Sequence, residues 1–274
     1  MDKKSNFLFL LFSIIFTETH AVKGSHRHHH GSTKLFVFGD SYADTGNSRN
    51  LFSSSWKEPY GITFPGKPTG RFSDGRVLTD YIGLPVPISY QYDSIFLWYK
   101  IGIMVGFTTS IINQLAKNLE RIRSLGVPKI VVTAIEPMGC LPQAAASSSY
   151  QNCSEIWNLI SSFHNQILQQ TVQKLNSECE KSVIKILDLY SAFRSAFKSQ
   201  KHHTGTLKFR NPLKPCCVGV SNDYSCGSLD ESGTKKYTVC KNPELSFFWD
   251  SVHPSQNGWR AVYSELRSSL HQLC

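Results

Sequence analysis

Three short apolar runs, separated by amphipathic segments, constrain the fold of this chain more than any other feature. The runs are rich in β-branched or aromatic residues and lie at Leu35–Phe38, Lys129–Ala134 and Val183–Leu187. Such runs are typical of strands buried in a parallel sheet. Apolar residues recur at helical spacing in three further sets: Ile111, Ile112, Leu115, Leu119 and Ile122; Ile156, Ile160, Phe163, Ile167 and Leu175; and Trp259, Val262, Tyr263, Leu266 and Leu270. Strands alternating with helices predict an α/β fold whose parallel sheet is covered on both faces.

The N-terminal segment has the layout of a secretory signal peptide. Lys3 and Lys4 give a basic start, an apolar stretch runs from 7 to 16, and Thr19-His20-Ala21 is a suitable cleavage site. The stretch is too short for a membrane-spanning helix. We therefore expect residues 1–21 to be removed and the protein to be secreted to the extracellular space.

Residues 22–33 form a leader that we expect to be flexible. A metal site is the alternative interpretation, because the leader contains His26, His28, His29 and His30. A metal ion needs ligands in fixed positions, and nothing in this segment provides them. We expect neither a metal ion nor another cofactor.

The eight cysteines have an even count, and an oxidising compartment would allow up to four disulfides. Four of them crowd one stretch, at Cys216, Cys217, Cys226 and Cys240. A zinc cluster is the rival interpretation, but that stretch has neither CxxC spacing nor a nearby histidine pair. Disulfides are favoured, with the pairing open. The sequon that begins at Asn152 is a candidate glycosylation site.

The net charge of +9 raises the question of nucleic acid. The basic residues are scattered along the chain, and a secreted protein rarely meets DNA, so no nucleic-acid partner is expected. A solvated basic surface, with weak association to an anionic matrix or membrane surface, is the preferred interpretation.

A second apolar mass lies at 95–112. It has the length of a membrane span, but Lys100 falls near its middle and two glycines interrupt it. A charge at the centre of a bilayer costs about 3 kcal/mol on insertion scales. A buried strand that runs into a helix is the favoured interpretation, and a membrane anchor remains the alternative.

The first apolar run ends at Gly39-Asp40-Ser41, so a buried strand is followed at once by a serine. Sites in parallel sheets lie at the carboxyl ends of the strands. A serine hydroxyl becomes an effective nucleophile when an imidazole takes its proton, and the imidazole needs an acceptor that orients it. Asp250 and His253, in a turn before a helix predicted to begin near Pro254, can supply both.

With these stretches the chain resembles the plant GDSL esterase/lipase family, within the SGNH hydrolases. "FVFGDSYADTGN" (36–47) is similar to the nucleophile block of the family, and "FWDSVHPSQNGW" (248–259) is similar to its closing block. The segments 59–82 and 125–142 are also similar to the family, in the family order. The resemblance implies a flavodoxin-like three-layer α/β/α sandwich and hydrolysis of carboxylic esters without a cofactor.

Carried over to this chain, the resemblance implies Ser41 as nucleophile, His253 as general base and Asp250 as its orienting partner. The Ser41 backbone amide would face the developing oxyanion. Small polar residues after a strand are usual in tight turns, so Asp40, Asp44 and Asn47 are interpreted as turn-forming residues.

Two parts of the family pattern are not found between Tyr81 and Thr108. In SGNH hydrolases a glycine of a second block and the asparagine of a Gly-x-Asn-Asp block complete the oxyanion hole. Their absence predicts a sheet that lacks or replaces central strands, with 89–106 as the atypical part of the domain. Gly102 and Gly106 are candidate replacements as backbone donors.

"VSNDY" (220–224) contains Asn222 and resembles the missing asparagine block. It lies among the clustered cysteines, and no predicted strand carries it to the site. We therefore interpret Asn222 as a loop residue.

Residues 34–274 are expected to form one domain that acts as a secreted serine ester hydrolase on a small-molecule or lipid ester. One alternative is a catalytically impaired relative that binds a lipid or a polysaccharide. Another is a truncated splice product that folds poorly, because lost central strands would leave sheet edges unpaired.

Overall fold

The computed structural model describes residues 14–18, 34–47, 53–83, 88–92, 101–178, 183–198 and 209–272. The strands in these ranges are β1 (Ile14–Glu18), β2 (Lys34–Gly39), β3 (Ile88–Tyr92), β4 (Lys129–Thr133), β5 (Val183–Leu187), β6 (Cys217–Gly219) and β7 (Tyr237–Val239). The α-helices are α1 (Leu78–Ile82), α2 (Ile101–Ser124), α3 (Pro142–Ala145), α4 (Glu155–Ser177), α5 (Leu189–Lys198) and α6 (Gln256–His271). Short 3-10 turns lie at Ser54–Trp56, Met138–Cys140, Ala146–Ser148 and Pro243–Leu245.

Five strands form the main sheet, in the order β3-β2-β1-β4-β5. The two outer pairs, β2 with β3 and β4 with β5, are parallel, as expected. The central strand β1 is antiparallel to both neighbours. The sheet is therefore mixed, and this one strand departs from the expected parallel arrangement. An antiparallel strand needs only a reversal of the chain, whereas a parallel one needs a crossover connection.

The central position of the sheet is filled from an unexpected part of the chain. We expected residues 1–21 to be a removed leader, yet residues 14–18 pair with both β2 and β4. The atypical segment supplies β3, which lies at the edge beside β2. The rest of the signal segment, the leader at 22–33 and residues 93–100 lie outside the described residues.

Side chains alternate between the two faces of the sheet, as the pleat requires. On one face, Ile130 and Val132 of β4 pack with residues of α2 and α4. On the other face, Val37 of β2 and Val131 of β4 pack with residues of α5 and α6. The continuous apolar runs predicted for β2 and β4 are thus explained by burial on both faces, whereas the edge strand β5 buries Ile184 and Leu187 and exposes Val183 and Lys185.

The helices follow the predicted periodicity with one correction. In α4 the buried positions are Ser161, His164, Leu168, Val172 and Leu175, whereas Ile156 of the expected apolar face is 42% exposed. Helix α6 begins two residues after Pro254, because Ser255 is the N-cap residue and its hydroxyl accepts a hydrogen bond from the Gly258 amide. Proline thus precedes the cap and does not occupy the first helical position.

Three disulfides link Cys140 to Cys153, Cys216 to Cys240 and Cys217 to Cys226. The prediction that the crowded cysteines form disulfides is therefore confirmed. Two of the bridges lie around the small antiparallel hairpin of β6 and β7. Cys179 and Cys274 lie outside the described residues.

Within the part of the chain that the structure describes, no helix combines the length and the apolarity needed to cross a membrane. The apolar mass at 95–112 enters α2 at Ile101.

Candidate active site

Strand β2 ends at Gly39, and the chain then forms a tight turn that presents Ser41. The Asp40 carbonyl accepts hydrogen bonds from the amides of Ala43 and Asp44, and the Asp40 carboxylate accepts one from the Tyr42 amide. The Asp44 carboxylate in turn accepts the amides of Gly46 and Asn47. The predicted turn-forming roles of Asp40 and Asp44 are confirmed.

A second turn carries Asp250 and His253. It closes where the Trp249 amide donates to the His253 carbonyl at 2.7 Å. Inside it, Asp250 Oδ1 accepts the amides of Val252 and His253 at 2.9 and 2.8 Å. The backbone amides of the turn therefore hold the Asp250 carboxylate in place. This is why a residue only three positions before His253 can contact the His253 ring.

The two turns meet so that Ser41, His253 and Asp250 form one hydrogen-bonded row. The Nε2 atom of His253 lies 2.7 Å from Ser41 Oγ. Its Nδ1 atom lies 2.9 Å from each carboxylate oxygen of Asp250. This geometry allows the imidazole to take a proton from the serine hydroxyl while the carboxylate faces the other ring nitrogen.

The Asp250 side chain is well placed to remain charged. Burial raises the pKa of its carboxyl, but the His253 charge and the hydrogen bonds from the His253 ring and the His253 and Val252 amides outweigh burial. The pKa of Asp250 therefore lies below its ordinary value. A charged carboxylate stabilises the imidazolium that forms when the serine is deprotonated.

Three aromatic residues that sequence reasoning missed surround the pair. The hydroxyl of buried Tyr60 donates to Asp250 Oδ2 at 2.7 Å. The Phe72 ring stacks on the His253 imidazole, and the Tyr42 ring meets it edge-on. The similarity of 59–82 to the family contained Tyr60 and Phe72, but spacing gave no signal that either would contact the turn around Asp250.

A buried acid, also missed, lies near the row. Glu136 follows β4 and is 8% exposed. Burial raises the pKa of Glu136 to about 7, and the Asp40 charge adds to this effect. Burial likewise raises the pKa of Asp40, against the opposing Tyr42 hydrogen bond and the His253 charge. Glu136 and Asp40 thus bind protons more readily than exposed carboxylates do.

Of the expected oxyanion donors, the Ser41 amide belongs to the nucleophile residue itself. Gly106 lies inside helix α2, beyond the first four amides that have no partner within a helix, so the expectation that it could donate is wrong. Gly102 lies in the first turn of the same helix. Asn222 is exposed in the loop between β6 and β7, which confirms its interpretation as a loop residue.

Two further predicted features can be located. Asn152 is exposed, and the next residue, Cys153, is tied to Cys140. Among the described residues, no group of three or more His, Cys, Asp or Glu could hold a metal ion. The four leader histidines lie outside those residues.

Comparison with known proteins identifies relatives over most of the chain. A family model described as GDSL-like lipase/acylhydrolase matches residues 105–266. GDSL esterase/lipase At5g03610 of Arabidopsis thaliana is 42% identical, over 96% of this chain and 95% of the relative. GDSL esterase/lipase At3g09930 of the same plant is 37% identical, over 88% of this chain and 89% of the relative. Acetylajmalan esterase 2 of Rauvolfia serpentina is 26% identical, over 85% and 88%.

The alignment with the first of these relatives also bears on the missing blocks. Its 341 aligned positions exceed the 274 residues of this chain, so the relative has residues that this chain lacks. The extent of this similarity, together with the family match over more than half of the chain, assigns the chain to a family. The chain belongs to the GDSL-like lipase/acylhydrolase family of carboxylic ester hydrolases.

Proposed function

We propose that this protein is a secreted serine hydrolase that cleaves a small-molecule or lipid ester with a Ser41-His253-Asp250 triad. The observation that supports the proposal most is the 2.7 Å contact between His253 Nε2 and Ser41 Oγ. The domain would comprise residues 34–274 and would form the flavodoxin-like three-layer sandwich that the family resemblance implies. Secretion would follow recognition of the N-terminal signal segment, and its cleavage after Ala21 would remove β1 from the sheet.

In the proposed reaction, Ser41 Oγ attacks the ester carbonyl while His253 Nε2 takes the hydroxyl proton. Asp250 stabilises the resulting imidazolium through Nδ1. The Ser41 amide donates to the tetrahedral oxyanion, and the imidazolium then returns its proton to the departing alcohol. Water, activated by the same imidazole, releases the acid and restores the serine.

Labelling with a fluorophosphonate tests the nucleophile. We expect the folded wild-type protein to be labelled and Ser41→Ala to remain unlabelled. Ser251→Ala is the matched control, because Ser251 is an exposed serine in the turn that carries His253. Equal labelling of wild type and Ser41→Ala, or no labelling of folded wild type, would exclude the proposal.

A non-catalytic role in binding a lipid or a wall polysaccharide is the second candidate. It is favoured by the absence of a Gly-x-Asn-Asp block, because each missing oxyanion donor costs about a hundred- to a thousand-fold in turnover. A rise in melting temperature with ligand, without turnover, would support binding alone. Ser41-dependent hydrolysis of a short-chain aryl ester would rule it out as the sole function.

A further inference from the structure

The Tyr60 hydroxyl is the one donor from outside the Asp250 turn that reaches the Asp250 carboxylate among the described residues. Its contact with Oδ2 is 2.7 Å long, and the Tyr60 residue is 3% exposed. The His253 Nδ1 atom lies 2.9 Å from both carboxylate oxygens. Oδ1 accepts in addition two backbone amides from within the turn, and Oδ2 accepts in addition the Tyr60 hydroxyl. The amides of the turn thus hold Oδ1, and the Tyr60 hydroxyl holds Oδ2, so both contribute to the orientation of the carboxylate.

Tyr60 is itself held in place. The Tyr60 amide donates to the Lys57 carbonyl, and the Gly61 amide donates to the Ser73 carbonyl. Gly61 has a φ of +73°, and a Cβ at this position would lie 2.2 Å from the Lys67 carbonyl oxygen. The Tyr60 ring also packs edge-on against Trp249, the residue before Asp250. The backbone around Tyr60 and the packing of its ring thus hold the hydroxyl in position.

The Tyr60 hydroxyl is protonated and can therefore donate a hydrogen bond. Burial, with the Asp250 charge and hydrogen bond added, raises the pKa of Tyr60 well above its ordinary value. The hydroxyl therefore keeps its proton throughout the pH range in which an ester hydrolase works, and the carboxylate always has this partner.

We propose that Tyr60 is a positioning residue that orients the Asp250 carboxylate and withdraws part of its negative charge from His253. This inference rests on the proposed triad. Tyr60 does not touch the reacting atoms, and it acts through Asp250 alone. Without its hydroxyl, Oδ2 would lose a donor in a buried place, and its charge would face only the imidazole.

Tyr60→Phe tests this role, with Tyr237→Phe as the matched control. Tyr237 belongs to the same buried cluster, but its hydroxyl makes no hydrogen bond within the described residues. Hydrogen bonds to charged groups contribute enough to predict a fall in kcat of about ten-fold or more for Tyr60→Phe, with KM unchanged. Tyr237→Phe should match the wild type.

The pH profile of kcat/KM separates positioning from a loss of structure. A carboxylate that keeps its full charge holds the imidazolium more strongly, so the acid limb of the profile should move to higher pH in Tyr60→Phe. A limb at the wild-type position, or a loss of rate that only follows a loss of folded protein, would overturn the proposal.

A double-mutant cycle provides a readout that needs no activity. The free energy of unfolding is measured for the wild type, Tyr60→Phe, Asp250→Asn and the double variant. We expect Tyr60→Phe to destabilise the wild type more than the Asp250→Asn background, because the amide accepts a weaker hydrogen bond than the carboxylate. Strict additivity would overturn the proposed contact. A failure of fluorophosphonate labelling would reject the proposed function and would leave this cycle interpretable.

Discussion

The phenyl ring of Phe72 lies nearly parallel to the imidazole of His253, with 4.6 Å between the ring centroids and 24° between the planes. The Tyr42 ring meets the same imidazole edge-on at 5.8 Å. The general base of the proposed triad is therefore held by two rings as well as by its two hydrogen bonds. Because Phe72 and Tyr60 come from one segment, that segment holds both the imidazole and its carboxylate.

We expect Phe72→Leu to lower kcat about five-fold, because an aromatic contact of this kind contributes about 1 kcal/mol beyond its buried area. Phe64→Leu is the control from the same segment, since the Phe64 ring contacts the Arg76 guanidinium instead. Steady-state hydrolysis of an aryl ester measures the effect. Equal losses in both variants would show that the segment acts only through overall stability.

Glu136→Gln should make stability less dependent on pH. The pKa of Glu136 is about 7 in the folded protein, against 4.5 for the ordinary group, so between these values the folded state binds more protons than the unfolded state. The free energy of unfolding therefore falls as pH rises from about 4.5 to 7, by up to about 3 kcal/mol from this one group.

Urea unfolding at pH 5 and pH 8 checks this prediction. Glu136→Gln should be more stable than the wild type at pH 8, and the difference should be smaller at pH 5. The control is Glu120→Gln, at an exposed position of α2. A difference between variant and wild type that does not change with pH would contradict the prediction.

Removing residues 1–21 should weaken the sheet. This change deletes β1 and leaves β2 and β4 without their shared backbone partner. Each lost backbone hydrogen bond contributes about 1 kcal/mol. We expect a chain that begins at Val22 to have a free energy of unfolding several kcal/mol below that of a chain that begins at Phe12, which keeps β1. Superimposable denaturation curves would show that β1 contributes nothing.

Turnover should be low for a member of this family. The sequence has no Gly-x-Asn-Asp block to supply the asparagine donor, and each missing donor costs about a hundred- to a thousand-fold. We expect short-chain aryl ester hydrolysis at least about a hundred-fold slower than for the 42% identical Arabidopsis relative, with Ser41→Ala as the background. Matching turnover numbers would mean that other groups of this chain supply the donors.

A glycan is expected at Asn152 when the chain passes through a secretory pathway, because the side chain is exposed and followed by Cys153 and Ser154. Intact mass should fall by the mass of one N-glycan in Asn152→Gln. Treatment with a peptide N-glycosidase, which removes the whole glycan, should produce nearly the same fall in the wild type and none in the variant. Identical masses for the two untreated proteins would exclude modification at this site.

The strands β2 and β4 could be predicted because burial on both faces demands an unbroken apolar run, and β5 could be predicted because four of its five residues are apolar. Strand β1 could not, since the same apolar residues are what a signal segment requires, and composition cannot separate the two uses. The hairpin of β6 and β7 also gave no pattern. Its strands have three residues each, and the disulfides around it need no periodicity.

The proposed triad could be predicted because its residues lie in sequence motifs. The residues that hold the triad in place, such as Tyr60, could not be predicted. Tyr60 and Asp250 are 190 positions apart, and no local pattern connects them. The burial of polar residues in α4 could not be predicted for a related reason. Ser161 accepts the Met138 amide and donates to the Trp157 carbonyl, so its burial satisfies hydrogen bonds that an apolar pattern does not show.

The adjacent cysteines at 216 and 217 have a consequence for the compartment in which this protein can act. Their amides donate to the carbonyls of Phe248 and Trp249, directly before Asp250, and each sulfur is bridged to a different part of the hairpin. Reduction of the two disulfides would release the segment that contains Cys216 and Cys217, and the turn that carries Asp250 and His253 would become less rigid. We therefore expect the proposed activity to be lost in a reducing, glutathione-rich cytosol and retained in the oxidising extracellular space.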